Sequence, residues 1–202
     1  MGERYDPSKE SSYILYLDMN NLYGYSMQDY LPVGGFEWIP ENKFEEFLTK
    51  LPHISAENDI GYVMEVDLAY PPHLHDFHSS LPLAPEKLSI PFTDLSSYCQ
   101  SFPQKYISSP KLIPSLRDKT KYIAHYRNVQ LYIELGMRVT RIHRIIQFRQ
   151  QPWMRPYINL NTTLRQQSKS TFEKNFYKLT NNSVYGMYQF FALLLCFVVT
   201  RV

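Results

Sequence analysis

A single carboxylate, Asp18, directly follows a short apolar and aromatic run at residues 13–17. That run predicts a buried strand, and Asn20 and Asn21 after it predict a turn. A carboxylate at the mouth of a buried strand is costly unless it is paired, and a divalent cation is its usual partner. An Asp at a strand end is nevertheless more often a helix cap or a turn residue. This pattern alone therefore leaves both interpretations open.

A second group of polar side chains lies near the other end of the sequence, where a helix is predicted over residues 171–185. At about 100° per residue, polar groups fall on one side of this helix and apolar groups on the opposite side. The polar side holds Lys174, Lys178, Asn182 and Tyr185, and the apolar side holds Phe172, Phe176 and Leu179. Two lysines alone would indicate an ordinary surface helix. An amide and a phenol in line with them, followed at once by Gly186, favour a binding surface.

Together the two regions resemble motifs A and B of the family B DNA polymerases, in the order in which that family has them. Motif A is D-x-x-S-L-Y there, and Asp18-x-x-Asn21-Leu22-Tyr23 departs from it by having Asn21 for Ser. Gly24 also replaces the usual Pro after the tyrosine. Motif B is K-x-x-x-N-S-x-Y-G, and residues 178–186 match it nearly completely. The resemblance implies a fragment of a viral or mobile-element polymerase of the protein-primed, Maverick/Polinton-like type.

The resemblance also implies a reaction, in which a primer 3′-hydroxyl attacks the α-phosphate of a deoxynucleoside triphosphate (dNTP) between two Mg²⁺ ions. In that reaction Asp18 is catalytic and ligates both ions, and the Met19 carbonyl supplies a further oxygen. Backbone amides around Asn21, Leu22 and Tyr23 hold the β- and γ-phosphates. Tyr23 matches the family's steric gate, whose ring selects deoxy sugars.

By the same resemblance, the motif B helix and the helix before it supply nucleotide-binding groups. Lys178 is catalytic: it pairs with the triphosphate and protonates the leaving pyrophosphate, and Lys174 adds to this charge. Arg165 is a further candidate on a helix that need not continue into the next. Asn182 binds nucleotide as well as the nascent base pair. The base-pair and template side is formed by Asn182, Tyr185 and Gly186.

Charge is distributed very unevenly along the 202 residues. Residues 1–102 hold 5 Lys/Arg and 16 Asp/Glu, whereas residues 103–202 hold 16 Lys/Arg and 3 Asp/Glu. A basic half of this kind indicates a polyanionic partner, and nucleic acid or nucleotide fits better than a membrane because the cations are spread over several predicted elements. Primer-template DNA and dNTP are the partners that the resemblance implies, with a terminal protein as a further candidate.

Composition favours a folded, intracellular protein. With 44% hydrophobic and 15% aromatic residues the chain can bury a core. Cys99 and Cys196 show no metal-site spacing and no disulfide framework, and the N-terminus lacks an apolar targeting segment. The sequence leaves the compartment open, with the nucleus and a viral factory as two options, and no membrane association is expected.

The predicted fold class is α+β, as an incomplete polymerase right hand with part of the palm sheet and helical fingers. By resemblance, residues 1–60 are the palm portion with motif A, and residues 61–152 are an insertion or palm-linked region that could contact a terminal protein. Residues 153–187 are then the fingers with motif B, and residues 188–202 form an apolar tail off the family's pattern, read either as a buried strand or as foreign sequence.

One acidic motif of the family is missing from this sequence. Motif C would supply a second metal-binding carboxylate through Asp-x-Asp, yet Asp118 is the only Asp after position 102. An exonuclease domain upstream of motif A is not expected within these 202 residues either. The isolated chain is therefore expected to be inactive. Two alternatives stay open: a non-catalytic fragment that binds nucleic acid, and a pseudogene-like product that does not fold.

Periodicity predicts the elements that would position these residues. A helix is predicted over 41–51, a half-buried strand over 61–68, a helix over 119–137, and a strand over 139–148 with Ile142, Ile146 and Phe148 on one side. The stripe along 119–137 that is read as core consists of Tyr122, Tyr126, Val129, Ile133 and Met137.

Between these elements, residues 70–115 contain eight prolines, so regular structure there must be short. The same segment holds His73, His75, His78 and Cys99, whose spacing is not that of a zinc site. Solvated or turn-capping histidines are the expected outcome.

Overall fold

The computed structural model describes residue 8 and residues 15–17, 21–102 and 109–199, with side chains as far as Gly186. The chain divides into two compact units: residues 1–29 with 152–202, here called the helical unit, and residues 30–151, here called the sheet unit. The chain contains both α-helices and an antiparallel β-sheet, and the predicted α+β class is confirmed.

The elements in the described part of the chain are as follows. The helices are α1 Leu22–Met27, α2 Phe44–Lys50, α3 His75–His78, α4 Ser97–Gln100, α5 Tyr126–Glu134, α6 Arg155–Gln167 and α7 Thr171–Val199. The strands are β1 Leu31–Trp38, β2 Ile60–Ala69, β3 Glu86–Leu88, β4 Lys111–Ile113, β5 Lys119–His125 and β6 Arg138–Gln151. Single turns of 3₁₀ helix lie at Glu41–Lys43, Leu51–His53, Pro72–Leu74 and Phe92–Asp94.

The sheet unit is built on a four-stranded antiparallel sheet in the order β1-β6-β2-β5. Its core lies on one face, where Phe47 and Leu51 from the α2 region and Tyr126 and Val129 from α5 pack against the sheet. The predicted helix over 41–51 is confirmed, because its apolar spacing buries Phe47 and Leu51. The strand predicted over 61–68 is also confirmed.

The helix predicted over 119–137 is wrong in its first half. Residues Lys119–His125 form strand β5, paired with β2 from Val63↔His125 to Leu68↔Lys119, and only then does α5 begin. Strand β2 would otherwise be an unpaired edge, and pairing outweighs the local periodicity. The stripe itself is still core: Tyr126, Val129 and Met137 are buried, and Tyr122 and Ile133 pack against them.

The strand predicted over 139–148 exists as part of β6, but its predicted face is wrong. Ile142 pairs with Val66 on the core face, whereas Ile146 pairs with Val63 on the opposite face. The register between β2 and β6 shifts between Glu65 and Val66 and again between Asp67 and Leu68. Each shift inserts one extra β6 residue, and an extra residue reverses the alternation of faces beyond it.

The proline-rich segment contains only short described elements, as predicted, and His73 is exposed, also as predicted. His75 and His78 do not follow expectation. His78 is buried, and its Nδ1 lies 2.8 Å from the Tyr70 hydroxyl, while His75 Nε2 lies 3.2 Å from the Tyr70 carbonyl oxygen. They are therefore packed against Tyr70 rather than solvated. No group of three His, Cys, Asp or Glu side chains that could hold a metal occurs among the described residues.

The small two-stranded β3–β4 sheet is tied to the main sheet by a buried cation. Lys119 Nζ lies 3.1 Å from Glu86 Oε2 and donates to Ser115 Oγ at 2.7 Å, with its side chain fully buried. A buried ammonium is tolerated only when it is paired in this way. Lys119 thereby links β3 to β5 within the sheet unit.

In the helical unit, two expectations are corrected. Residues 15–17 lie in no strand, and Leu15, Tyr16 and Leu17 are exposed, because no described strand offers them a partner. The motif B helix does not end near Tyr185, since α7 continues to Val199 and the tail is helical rather than a strand. Across the residues described, no helix is long and apolar enough to cross a membrane.

Candidate nucleotide site

The turn after residue 20 places Asn21 in the left-handed region, with φ 58°. Asn is one of the few residues that adopt this conformation at little cost, because its short side chain can bond locally. The Asn21 carbonyl accepts the Tyr25 N–H at 2.9 Å and so begins helix α1. The predicted turn at this point therefore delivers Asn21 to the N-terminus of a helix.

The two departures from motif A, Asn21 and Gly24, are in direct contact. A Cβ placed on the buried Gly24 would lie 2.6 Å from Oδ1 and 2.7 Å from Cγ of Asn21, closer than real Cβ contacts allow. The larger Asn21 side chain thus occupies the space that any side chain at position 24 would need. Each departure makes sense in the presence of the other.

Helices α6 and α7 form a hairpin joined at residues 168–170. The Ser170 hydroxyl accepts the Glu173 N–H at 3.1 Å and caps the first turn of α7. Farther along, Asn161 Nδ2 donates to Asn181 Oδ1 at 3.0 Å, and both amides are buried. Because buried amides need partners, this bond fixes the two helices side by side in one register.

A cleft of about 520 Å³ opens between α1, α6 and α7. Its lining combines amides, hydroxyls and two cations with no carboxylate, and consists of Asn21, Tyr25, Gln28, Thr162, Arg165, Gln166, Lys174 and Asn181. The volume lies within the range of small-molecule sites. Since Arg165 and Lys174 are its charged groups, the cleft is suited to an anion with several hydrogen-bond acceptors.

Beside this cleft, the tyrosines of the two motifs touch. The rings of Tyr23 and Tyr185 stack with their centroids 4.1 Å apart and an interplanar angle of 25°. Offset stacks of this kind stabilise a pair beyond the area that it buries. Residues 162 positions apart in the sequence are therefore neighbours here, and α1 and α7 are joined at the end of α7 that carries motif B.

The predicted site residues divide into three groups. Asn21, Arg165 and Lys174 line the cleft, although α6 ends at Gln167 and does not continue into α7. Tyr23 and Tyr185 form the ring stack.

The remaining predicted residues lie elsewhere. Lys178, Asn182 and Gly186 are exposed on α7 and do not line the cleft, and Leu22 is half exposed. Nothing among the described residues lies within 4 Å of a Cβ built on Gly186. Asp18 and Met19 lie outside the described residues.

Sequence reasoning missed the buried amide pair and most of the neutral lining. On the helical wheel Asn181 falls about 20° from Lys174, closer than Asn182 at about 80°. The wheel could therefore have identified Asn181 as the amide beside Lys174. No sequence signal identified its partner Asn161, because the pairing depends on how α6 packs. The other residues missed are Tyr25, Gln28, Thr162 and Gln166.

The donor set of the cleft fits the phosphate part of a nucleotide and not a metal ion. Mg²⁺ prefers carboxylate and other oxygen ligands, whereas the charged groups here are cationic. Family B polymerases generally use Mg²⁺. A magnesium site would depend on Asp18 and Met19, which lie outside the described residues.

The fold and the site together define the class of protein: an α+β chain with a cationic, nucleotide-sized cleft between two polymerase-like motifs. The model of the family described as DNA polymerase type B, organellar and viral, matches residues 2–190. The chain belongs to this family. Membership implies DNA-directed DNA polymerase activity, with a DNA template and dNTPs as substrates. No curated protein and no solved structure matches the chain.

Proposed function

We propose that the helical unit binds the incoming dNTP of a protein-primed, Maverick/Polinton-like polymerase, with its triphosphate in the cleft between α1, α6 and α7. The observation that carries this proposal is the convergence of Asn21, within motif A, with Arg165 and Lys174 on a single cleft. These residues are far apart in the sequence. A surface helix with solvated lysines would not require the first motif to lie opposite it.

In this proposal the two cations bind the phosphate oxygens. Arg165 presents a planar, always-charged fork, and Lys174 adds a compact ammonium on the facing helix. The side-chain amides of Asn21 and Asn181 add neutral donors, and the backbone around Asn21, Leu22 and Tyr23 adds N–H groups. None of the described residues that line the cleft is a carboxylate, so none of them repels the triphosphate.

The stacked tyrosines provide the sugar-facing wall. Tyr23 acts as the steric gate, and Tyr185 supports its ring from α7 at 4.1 Å between centroids. A gate works only if its ring stays in place when a ribose 2′-hydroxyl presses on it. The stack restrains the ring in that way, and Tyr185 also faces the nascent base pair.

The exposed side of α7 contacts the leaving pyrophosphate, the base pair and the template strand. Lys178 donates its proton to the leaving pyrophosphate, while Asn182 and Gly186 face the base pair and the template strand. Gly186 has open space beside its Cα, which suits close approach of a strand. Asp18 and the Met19 carbonyl would hold Mg²⁺, and that ion would supply charge stabilisation at the transferred phosphate.

The larger assignments form part of the same proposal. Residues 1–60 are the palm portion, residues 61–152 are an insertion that contacts a terminal protein, and residues 153–187 are the fingers. Because Asp118 is the only Asp after position 102, these 202 residues lack a motif C carboxylate. We therefore expect no primer extension by this chain alone.

Calorimetric titration of the chain with Mg²⁺-dATP tests the proposal. Charge-assisted hydrogen bonds contribute about 1.5–3 kcal/mol each, so Arg165→Ala and Lys174→Ala should each weaken binding by roughly 10- to 100-fold. Lys169→Ala is the matched control, since Lys169 is exposed in the α6–α7 connection and does not line the cleft.

The control should leave the dATP affinity unchanged. If wild-type chain does not bind dATP, or if all three variants behave alike, the cleft is not the nucleotide site. Circular dichroism of each variant checks that α6 and α7 are still formed.

A further inference from the structure

The sheet unit has a second face that the proposed function does not use. The core covers one side of the β1-β6-β2-β5 sheet, and the opposite side is called here the outer face. The register places Trp38, Ile146, Val63 and His125 in one row across it. Cross-strand partners point to the same side of a sheet, so this row defines the outer face.

Three arginines form a line along the outer face because of the two bulges in β6. Arg138 pairs with Ala69, Arg141 with Asp67 and Arg144 with Glu65. In a regular strand, residues three apart would alternate between the faces. The extra residues at positions 140 and 143 restore the outer orientation each time. The same bulges keep the residues that follow each arginine, Val139, Ile142 and Ile145, on the core face.

Large aromatic and apolar side chains are exposed beside these arginines. Phe36 is 60% exposed, Trp38 58% and Ile123 65%. Trp38 shares its row with Ile146, and the Phe36 ring contacts that of Phe148. A sheet face with two exposed rings is unusual, since such surface normally receives a partner.

One arginine is held in place over a ring. The Arg144 guanidinium carbon lies 5.8 Å from the centre of the Trp38 ring, within the range of a cation–π contact. Glu65 fixes it from below, with Arg144 Nε donating to Oε2 at 2.7 Å and an Nη group donating to Oε1 at 3.3 Å. The pair orients Arg144 while leaving its outer edge and the Trp38 ring exposed.

The remaining charge on this face is positive. The carboxylates Glu65 and Asp67 are already engaged, by Arg144 and by His143 with the Lys121 N–H. No ion-pair partner for Arg138 or Arg141 occurs among the described residues. Arg141 lies opposite Asp67 and its charge helps to lower the pKa of that carboxyl, without forming an ion pair. Exposed rings beside an excess of cations are the combination that binds single-stranded nucleic acid, by stacking and by charge.

We propose that the outer face binds single-stranded DNA, separately from the nucleotide cleft, with bases on Trp38 and Phe36 and phosphates along Arg138, Arg141 and Arg144. Unpaired bases are required, because a base within a duplex is already stacked on its neighbouring bases. DNA rather than RNA follows from the family to which the chain belongs, and does not depend on the dNTP site proposed above.

Fluorescence anisotropy with a labelled 20-mer of thymidine, and no dNTP, tests this on the full chain. Stacking on one ring contributes about 1–3 kcal/mol, so Trp38→Ala should weaken binding by roughly 5- to 100-fold, and Trp38→Phe should restore most of it. Arg141→Ala should reduce the slope of log affinity against log salt by about 0.7. Phe77→Ala and Lys111→Ala are matched controls, exposed in the same unit but outside the outer face.

Tryptophan fluorescence gives a second readout. In a Trp153→Phe background Trp38 is the only tryptophan, and a stacked base should quench its emission. The proposal is overturned if the 20-mer does not bind, if Trp38→Ala and the controls behave alike, if duplex binds equally well without quenching, or if a matched uridine 20-mer binds more tightly.

The results of this experiment and of the dATP titration can be distinguished from each other. Lys174→Ala should leave 20-mer binding on the outer face within about two-fold of wild type, and Trp38→Ala should leave dATP binding unchanged. Loss of 20-mer binding in Lys174→Ala, with Trp38→Ala unaffected, would instead assign the DNA to α7.

Discussion

The two units of this chain bury apolar and polar side chains in different proportions. In the sheet unit the described core is mostly apolar and aromatic, with Ile145 fully buried against α2 and α5, although Lys119 is buried as well. In the helical unit few described apolar side chains are buried, Ile158 among them, and a pair of amides, Asn161 and Asn181, is buried between the helices. Among the described residues, the first unit therefore has the larger apolar core, and polar contacts make up a larger share of what the second unit buries.

The helical unit also exposes apolar side chains that a helix would normally bury. Along α7 the apolar side chains Phe172, Phe176 and Leu179 are exposed rather than packed, although an amphipathic helix normally buries that side. The polar side of α7 contributes to the cleft instead. Sites that must admit a substrate are usually drawn from the less stable parts of a protein, and the helical unit fits that description.

The largest expected effect contrasts the buried core of the sheet unit with the exposed apolar side of α7. Ile145→Ala removes a fully buried side chain from the sheet unit and should cost about 2–5 kcal/mol of unfolding free energy. Phe176→Ala, at a position 54% exposed, should change it by no more than about 0.5 kcal/mol. Urea unfolding followed by Trp38 in one single-tryptophan variant and Trp153 in another reports on each unit.

Equal costs for the two substitutions would break the contrast. In particular, a loss of several kcal/mol for Phe176→Ala would mean that the apolar side of α7 is covered in solution. The Trp153 signal should be insensitive to Ile145→Ala if the units unfold independently.

A smaller effect is expected at α1, where packing depends on one residue pair. Gly24→Ala places a Cβ 2.7 Å from Asn21 Cγ, and overpacking of this kind costs about 1–3 kcal/mol. Asn21→Gly removes the opposing side chain and tolerates the φ of 58° at this position, so the double variant should recover most of the loss. The Trp153 signal in urea measures all three variants.

The coupling free energy between positions 21 and 24 decides whether the Asn21 side chain fills the space beside Gly24. A coupling free energy of about 0.5–3 kcal/mol is typical of residues in contact. Additive effects, or a stabilisation by Gly24→Ala of the size usual for glycine in a helix, about 0.5–1 kcal/mol, would show that Asn21 does not fill this space.

The sequence predicted those elements of the sheet unit whose pattern is local. Helix α2 and strand β2 follow from the spacing of their own apolar residues. Strand β5 does not, because its residues also fit a helical stripe and only pairing with β2 decides between them. The faces of β6 could not be predicted, since the two bulges arise from its register with β2.

For the candidate site, motif resemblance named residues but not their arrangement. It selected Asn21, Arg165 and Lys174, which line one cleft, yet their convergence depends on the α6–α7 hairpin and on the Asn161–Asn181 bond. The segment at residues 13–17 was predicted as a buried strand from its composition alone, and its described part, residues 15–17, is exposed. Burial requires a partner that composition does not reveal. The catalytic roles of Asp18 and Lys178 stay predictions.

The smallest expected effect is the pH dependence that Asp67 gives the sheet unit. Its Oδ1 accepts the Lys121 N–H at 2.7 Å and lies 2.8 Å from His143 Nε2. These two hydrogen bonds hold the pKa of Asp67 below its usual value. A carboxyl with a depressed pKa stabilises the fold above its unfolded pKa, about 3.9, and this stabilisation is lost as pH falls through the lower folded value.

The melting temperature of the sheet unit, followed by Trp38, should therefore fall as pH is lowered below about 4. Asp67→Asn should flatten that decline, because the amide cannot be protonated in this range. Glu57→Gln, at an exposed carboxylate of the same unit, should leave the wild-type slope in place. An unchanged slope in Asp67→Asn would mean that other acids govern the decline, with Glu65 the next to substitute, since its bond to Arg144 also lowers its pKa.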